Sequence, residues 1–195
     1  MGDWWESVVR VRAPHTIGSG TLFRPNAIVT AAHVVSDGPG MGSVPTDALR
    51  VVTMYGTPIV FRVLAVRLAK EWTQNDGLAH LHDIAVLLVD PPHPNTIPTE
   101  FDYGVDGGLN PATAFGYVGD GLIQARYRSG TVMRDGDAFR STDIDPDDGM
   151  SGGAVVTRSD PPRLVGVIRS KPAITGTSVI IALPLLHKVI DPLLA

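Results

Sequence analysis

The stretch DDGMSGGAVV, residues 147–156, sets Ser151 among three glycines, with an acidic pair before it and a small apolar run after it. A serine hydroxyl is a weak nucleophile at neutral pH and needs a base to take its proton. An imidazole can do this when a carboxylate fixes its tautomer and stabilises its charged form. The chain has six histidines. His33, in IVTAAHVV, ends an apolar run and is preceded by two alanines. His80 and His82, in LAHLHDIAVLLV, stand beside Asp83 at the head of another apolar run. His15 precedes a turn, His93 lies in a proline-rich stretch and His187 in the terminal segment. Asp76 and Asp90 rival Asp83 as an orienting acid. By itself Gly-x-Ser-Gly-Gly also fits an ordinary tight turn before a buried strand.

Short apolar runs rich in β-branched residues must position these groups. They are SVVRVR, IGSGTLF, AIVTAAHVV, LRVVTMY, FRVLAVRLA and DIAVLLV, then PATAFGYV, QARYRSGTVM, AFRST, GGAVVT, RLVGVIR and TSVIIALP. Turn formers such as Arg24-Pro25-Asn26, Gly56 and Asp135-Gly136-Asp137 separate many of them. Such spacing predicts an all-β barrel or sandwich rather than alternating βαβ units. DPPHPNTIPTEFDYGVDGG, with its four prolines and no apolar period, reads as a linker between two similar halves, although no repeat shows in the sequence. Leu185, Leu186, Val189 and Ile190 have the spacing of a short C-terminal helix.

His33, Asp83 and Ser151 stand in that order, and TAAHVV, HDIAVLLV and DGMSGGAVV resemble the three motif blocks of chymotrypsin-fold serine peptidases. The flavour is that of the bacterial trypsin-like group that includes HtrA-type domains. IGSGTLF, GYVGDG, SGTV and RLVGVIRS resemble supporting blocks, so the likeness runs from about Val8 to Ile190. The resemblance implies two six-stranded antiparallel β-barrels with a short C-terminal helix: residues 1–92 carrying His and Asp, a linker over 93–108, and residues 109–195 carrying Ser. It implies a serine endopeptidase in which Ser151 is the nucleophile, His33 the base and Asp83 its orienter. The backbone N–H groups of Gly149 and Ser151 would hold the oxyanion. Asp145 falls where trypsin-like enzymes place a pocket-floor aspartate that selects Arg or Lys at P1. Arg169, with Lys171, lies on the strand resembling the pocket wall, where it would neutralise Asp145 or favour acidic substrates.

Met150, before the serine, departs from the family pattern, in which trypsin-type enzymes carry an aspartate that pairs with a cleaved N-terminus. Methionine makes no ion pair, so packing, or a regulatory partner or fused sensor domain, must organise the oxyanion hole. A peptidase fold that kept its groove but lost turnover, a binding module, is the alternative reading. The GMSGG segment also satisfies the Gly-x-Ser-x-Gly elbow of α/β-hydrolases. That motif needs an acid and then a histidine after the serine, and a helix directly behind it. Only His187 follows, and GGAVV reads as a strand, so the elbow is rejected.

The formal net charge of -4 and the absence of a long basic run argue against a nucleic-acid or anionic-membrane surface. With no cysteine, thiolate metal sites, cysteine nucleophiles and disulfides are excluded. No cofactor or metal is expected, and the expected partner is a protein or peptide substrate. MGDWWESVVRVRAP lacks the pattern of a signal peptide, and no run approaches a membrane span. The expectation is a cytoplasmic location.

Overall fold

The computed structural model describes residues 4–75, 82–100, 103–119, 123–136, 138–170 and 178–182. All twelve runs contain strands. The first six are β1 (Val8–Arg12), β2 (Ile17–Arg24), β3 (Ala27–Thr30), β4 (Arg50–Thr53), β5 (Val60–Leu68) and β6 (Ala85–Asp90). The second six are β7 (Leu109–Val118), β8 (Gln124–Asp135), β9 (Ala138–Ser141), β10 (Ala154–Thr157), β11 (Leu164–Ser170) and β12 (Ser178–Ala182). Each set closes into an antiparallel barrel, in the orders β1–β2–β3–β6–β5–β4 and β7–β8–β9–β12–β11–β10. The two orders are the same pattern used twice. Closure leaves no unpaired strand edge, which is why an all-β chain of this composition can bury its apolar runs.

Helix is scarce among the described residues. A single turn of α-helix, α1 (Lys70–Gln74), follows β5, with no apolar period in the sequence to mark it. It closes on Asn75 in the left-handed conformation, and its Trp72 is buried, donating its indole N–H to Ser36 Oγ at 3.2 Å. The run AIVTAAHVV is a strand only as far as Thr30, after which Ala32–Val34 form a 3-10 turn. The expected C-terminal helix and His187 lie outside the described residues, as do His80, Asp76 and Lys171.

The apolar core is continuous across the two barrels. Phe115, Tyr117, Ala154, Val156, Leu164 and Val167 of the second barrel belong to the same buried cluster as the first barrel's interior. A second cluster gathers Phe139, Ile144, Met150, Val155, Ile168 and Ile180 inside the other barrel. Arg10 of β1 is also largely buried and donates to the carbonyl of Gly119, just after β7. This shared interior sets the loops of one barrel against the strands of the other.

Candidate active site

The 3-10 turn after β3 carries His33, and the two-residue lead into β6 carries Asp83. Since β3 and β6 are neighbours, pairing Thr30 with Ala85, these two segments leave the sheet side by side. Asp83 is buried, and each of its oxygens accepts from His33. The backbone N–H of His33 donates to Oδ1 at 2.8 Å, and the ring Nδ1 lies 2.6 Å from Oδ2. A carboxylate only accepts, so this contact places a ring proton on Nδ1, and in the neutral imidazole the free lone pair is on Nε2. The imidazole keeps a third of its side-chain surface exposed, at 33%, whereas the carboxylate shows 3%.

Ser151 reaches the same place from the second barrel. Its carbonyl accepts from the N–H of Ser19 on β2 at 2.7 Å. The next residue, Gly152, has φ +81, and a Cβ there would sit 2.2 Å from both Ser19 O and Thr30 Oγ1 and 2.9 Å from Ala31 N. Only glycine permits both that conformation and that closeness. The loop therefore nests against Ala31, two residues from His33. Gly149 adopts φ +93, and among the described residues neither its N–H nor that of Ser151 donates a hydrogen bond within the protein. The hydroxyl of Ser151 donates to the carbonyl of Arg169 at 2.8 Å, not to His33.

Met150 is fully buried in the second core cluster, and its sulfur accepts from the N–H of Asp147 at 3.3 Å. Packing and one N–H···S contact thus anchor the loop from beneath. Asp145 is exposed, and Arg128 holds its backbone carbonyl while pairing with Asp147 at 2.7 Å. Arg169 does not turn toward Asp145 as a pocket-wall cation would. Its Nε lies 3.4 Å from Oδ2 of Asp83. Asp90, the rival acid, pairs with Arg62 at 3.0 Å on the surface. His82 is buried with Nδ1 3.5 Å from Glu71, and His93 packs edge-on against Phe61. Among the described residues no three His, Asp or Glu side chains gather as a metal site would require.

Residues 18–167 match the trypsin-like peptidase domain. The chain belongs to that family. No curated protein matches it. The fold of this trypsin-like domain is similar to that of a Glu endopeptidase, with a TM-score of 0.76 and 18% identity over 98% of this chain and 92% of the other. It is similar to that of human heparin binding protein, at TM-score 0.75 and 14% identity over 97% and 92%. A serine endoprotease from Yersinia pestis matches at TM-score 0.69 and 20% identity, over 96% of this chain and 62% of that one. At such identities the likeness is one of fold.

One residue at the heart of this trypsin-like domain escaped the sequence reading. Ser19 is fully buried, its hydroxyl donates to the carbonyl of Gly149 at 3.1 Å, and it accepts from the N–H of Tyr117 at 2.9 Å. Thr30 Oγ1 in turn donates to the carbonyl of Ser19 at 2.7 Å. Ser19 thus pins β2, β3, β7 and the serine loop at one point. Its signal was present in Gly18-Ser19-Gly20, because a small polar residue between two strand glycines marks a close backbone approach.

Proposed function

We propose that this trypsin-like domain is a serine endopeptidase acting on protein or peptide substrates, with Ser151 as nucleophile, His33 as general base and acid, and Asp83 as the group that orients His33. The double hydrogen bond between His33 and Asp83 carries this reading, because it places the ring proton of a neutral imidazole on Nδ1 and fixes the direction of Nε2. In the reaction the Ser151 hydroxyl turns from the Arg169 carbonyl to Nε2, loses its proton there and attacks the scissile carbonyl. The N–H groups of Gly149 and Ser151 donate to the oxyanion, each worth about 3 kcal/mol of transition-state stabilisation. His33 then protonates the leaving amine, and water cleaves the acyl-enzyme by the same steps.

A second reading is a non-catalytic peptidase-fold binding module, and the direction of the Ser151 hydroxyl favours it. A fluorophosphonate probe separates the two. Labelling of the wild type but not of Ser151→Ala supports the enzyme, whereas no labelling of the folded wild type overturns it. Labelling that needs an added protein supports regulation by a partner or fused domain. We also propose a P1 preference for Arg or Lys through Asp145, which falls where trypsin-like enzymes place the pocket-floor aspartate. In a peptide-library cleavage profile Asp145→Ala should erase that preference, and an unchanged profile removes Asp145 from the pocket.

A further inference from the structure

Arg169 makes two contacts that bear on the proposed reaction, and a fault in the β-ladder produces both. In the pairing of β11 with β12, Ile168 faces Ile180 and Ser170 faces Val179, so the register shifts across Arg169. A bulged residue leaves the ladder and re-aims its side chain. Here the carbonyl of Arg169 accepts from Ser151 Oγ at 2.8 Å, and its guanidinium runs to Asp83. The side chain is only 24% exposed, so solvent screens the pair weakly. Its Nε–H is buried and, among the described residues, makes no aligned hydrogen bond, so the contact is one of charge.

That charge opposes the chemistry. Asp83 assists a base by offering negative charge to the imidazolium that forms when His33 takes the serine proton. A guanidinium against Oδ2, the oxygen that holds Nδ1, compensates the buried carboxylate while the imidazole is neutral. The same cation then repels the imidazolium. We propose that Arg169 is a positioning residue that restrains the triad: its side chain draws on the charge of Asp83, and its bulged carbonyl holds the Ser151 hydroxyl away from His33. This inference rests on the peptidase reading above. It moves Arg169 from the pocket wall to the catalytic charge balance.

The test uses two variants of the whole chain. Arg169→Gln removes the charge and keeps a hydrogen-bonding amide, while Arg169→Lys keeps the charge. Fluorophosphonate labelling of Ser151 should become about tenfold faster in Arg169→Gln, because a nearby unit charge of low exposure is worth about a decade in rate. Arg169→Lys should stay near the wild-type rate. A role in packing alone would treat the two variants alike. Equal rates in both, or a slower Arg169→Gln, overturn the proposal. The NMR resonance of the His33 Nδ1 proton supplies a readout that does not need a reactive serine. Relative to wild type it should move downfield in Arg169→Gln, where the full carboxylate charge returns to that hydrogen bond, and stay in place in Arg169→Lys. If no folded protein labels yet the resonance shifts, the nucleophile assignment fails and the charge coupling stands. An unmoved resonance overturns the coupling whatever the labelling shows.

Discussion

Replacing Ser19 by alanine tests how the serine loop is held. The hydroxyl has two partners, the N–H of Tyr117 and the carbonyl of Gly149, and Ser19 is itself fully buried. Alanine fits the space but satisfies neither partner. Tyr117 lies in the shared core, so its N–H loses its acceptor away from water. A buried polar group left unpaired costs about 1–3 kcal/mol. The carbonyl of Gly149 is closer to the surface and finds water more easily, so it adds less. The sum is roughly 2–4 kcal/mol, which at a urea slope of about 2 kcal/mol per molar lowers the midpoint by about 1–2 M. Freed from Ser19, the Gly149–Met150 peptide should also shift, and with it the flanking peptides that carry the proposed donors, the N–H groups of Gly149 and Ser151. Fluorophosphonate labelling should fall about tenfold, short of the 10²–10³ expected when a donor is removed outright. Urea unfolding followed by tryptophan fluorescence gives the first number, and labelling kinetics in unfolded-free protein give the second. A Ser19→Ala protein that melts and labels like the wild type would show that the loop is held by Met150 and Gly152 alone.

Gly152→Ala should be more damaging still, because the added methyl meets Ser19 O and Thr30 Oγ1 at 2.2 Å with φ at +81; a loss of about 3 kcal/mol or more is expected by urea unfolding, and a loss under about 1 kcal/mol would mean the two barrels separate easily. Met150→Ala empties a fully buried site and should cost about 2–5 kcal/mol, whereas Met150→Leu keeps the volume and should cost under about 1.5 kcal/mol; equal losses would shift the weight from packing to the N–H···S contact. The backbone N–H of Thr131, with the hydroxyls of Ser141 and Thr131, holds the Asp143 carboxyl below its ordinary range. Its folded pKa is depressed, so its contribution is present above the usual carboxylate pKa of about 4 and is lost as pH falls through the lower folded value. Thermal unfolding between about pH 5 and pH 2 should therefore be less pH-dependent in Asp143→Asn than in the wild type, and parallel curves would remove Asp143 from the linkage.

Much of the architecture was legible because strands write a local code. Runs such as SVVRVR and DIAVLLV, cut by turn residues, became β1 and β6, and the chymotrypsin-like class followed from the motif blocks. The single turn Lys70–Gln74 was not legible, since five residues are too few for an apolar period to show and its reason is the burial of Trp72. The run through His33 reads as an apolar strand with the histidine just after it, and the strand does end before His33. It ends at Thr30, where the backbone of Ala31 lies close against Gly152 of the serine loop.

The sequence by itself determined which residue types could do chemistry, the class of fold and the spacing of His33, Asp83 and Ser151, because these depend on local pattern and motif. Only the tertiary structure decided which groups touch. Closure of two identically ordered barrels brings β2 against the serine loop and makes Ser19 a junction, through contacts spanning 98 and 130 residues that no local pattern encodes. A one-residue slip in the pairing of β11 with β12 turns Arg169 from a supposed pocket wall to the carboxylate of Asp83. Such a slip depends on how two strands pair, and so on long-range geometry rather than on residue type.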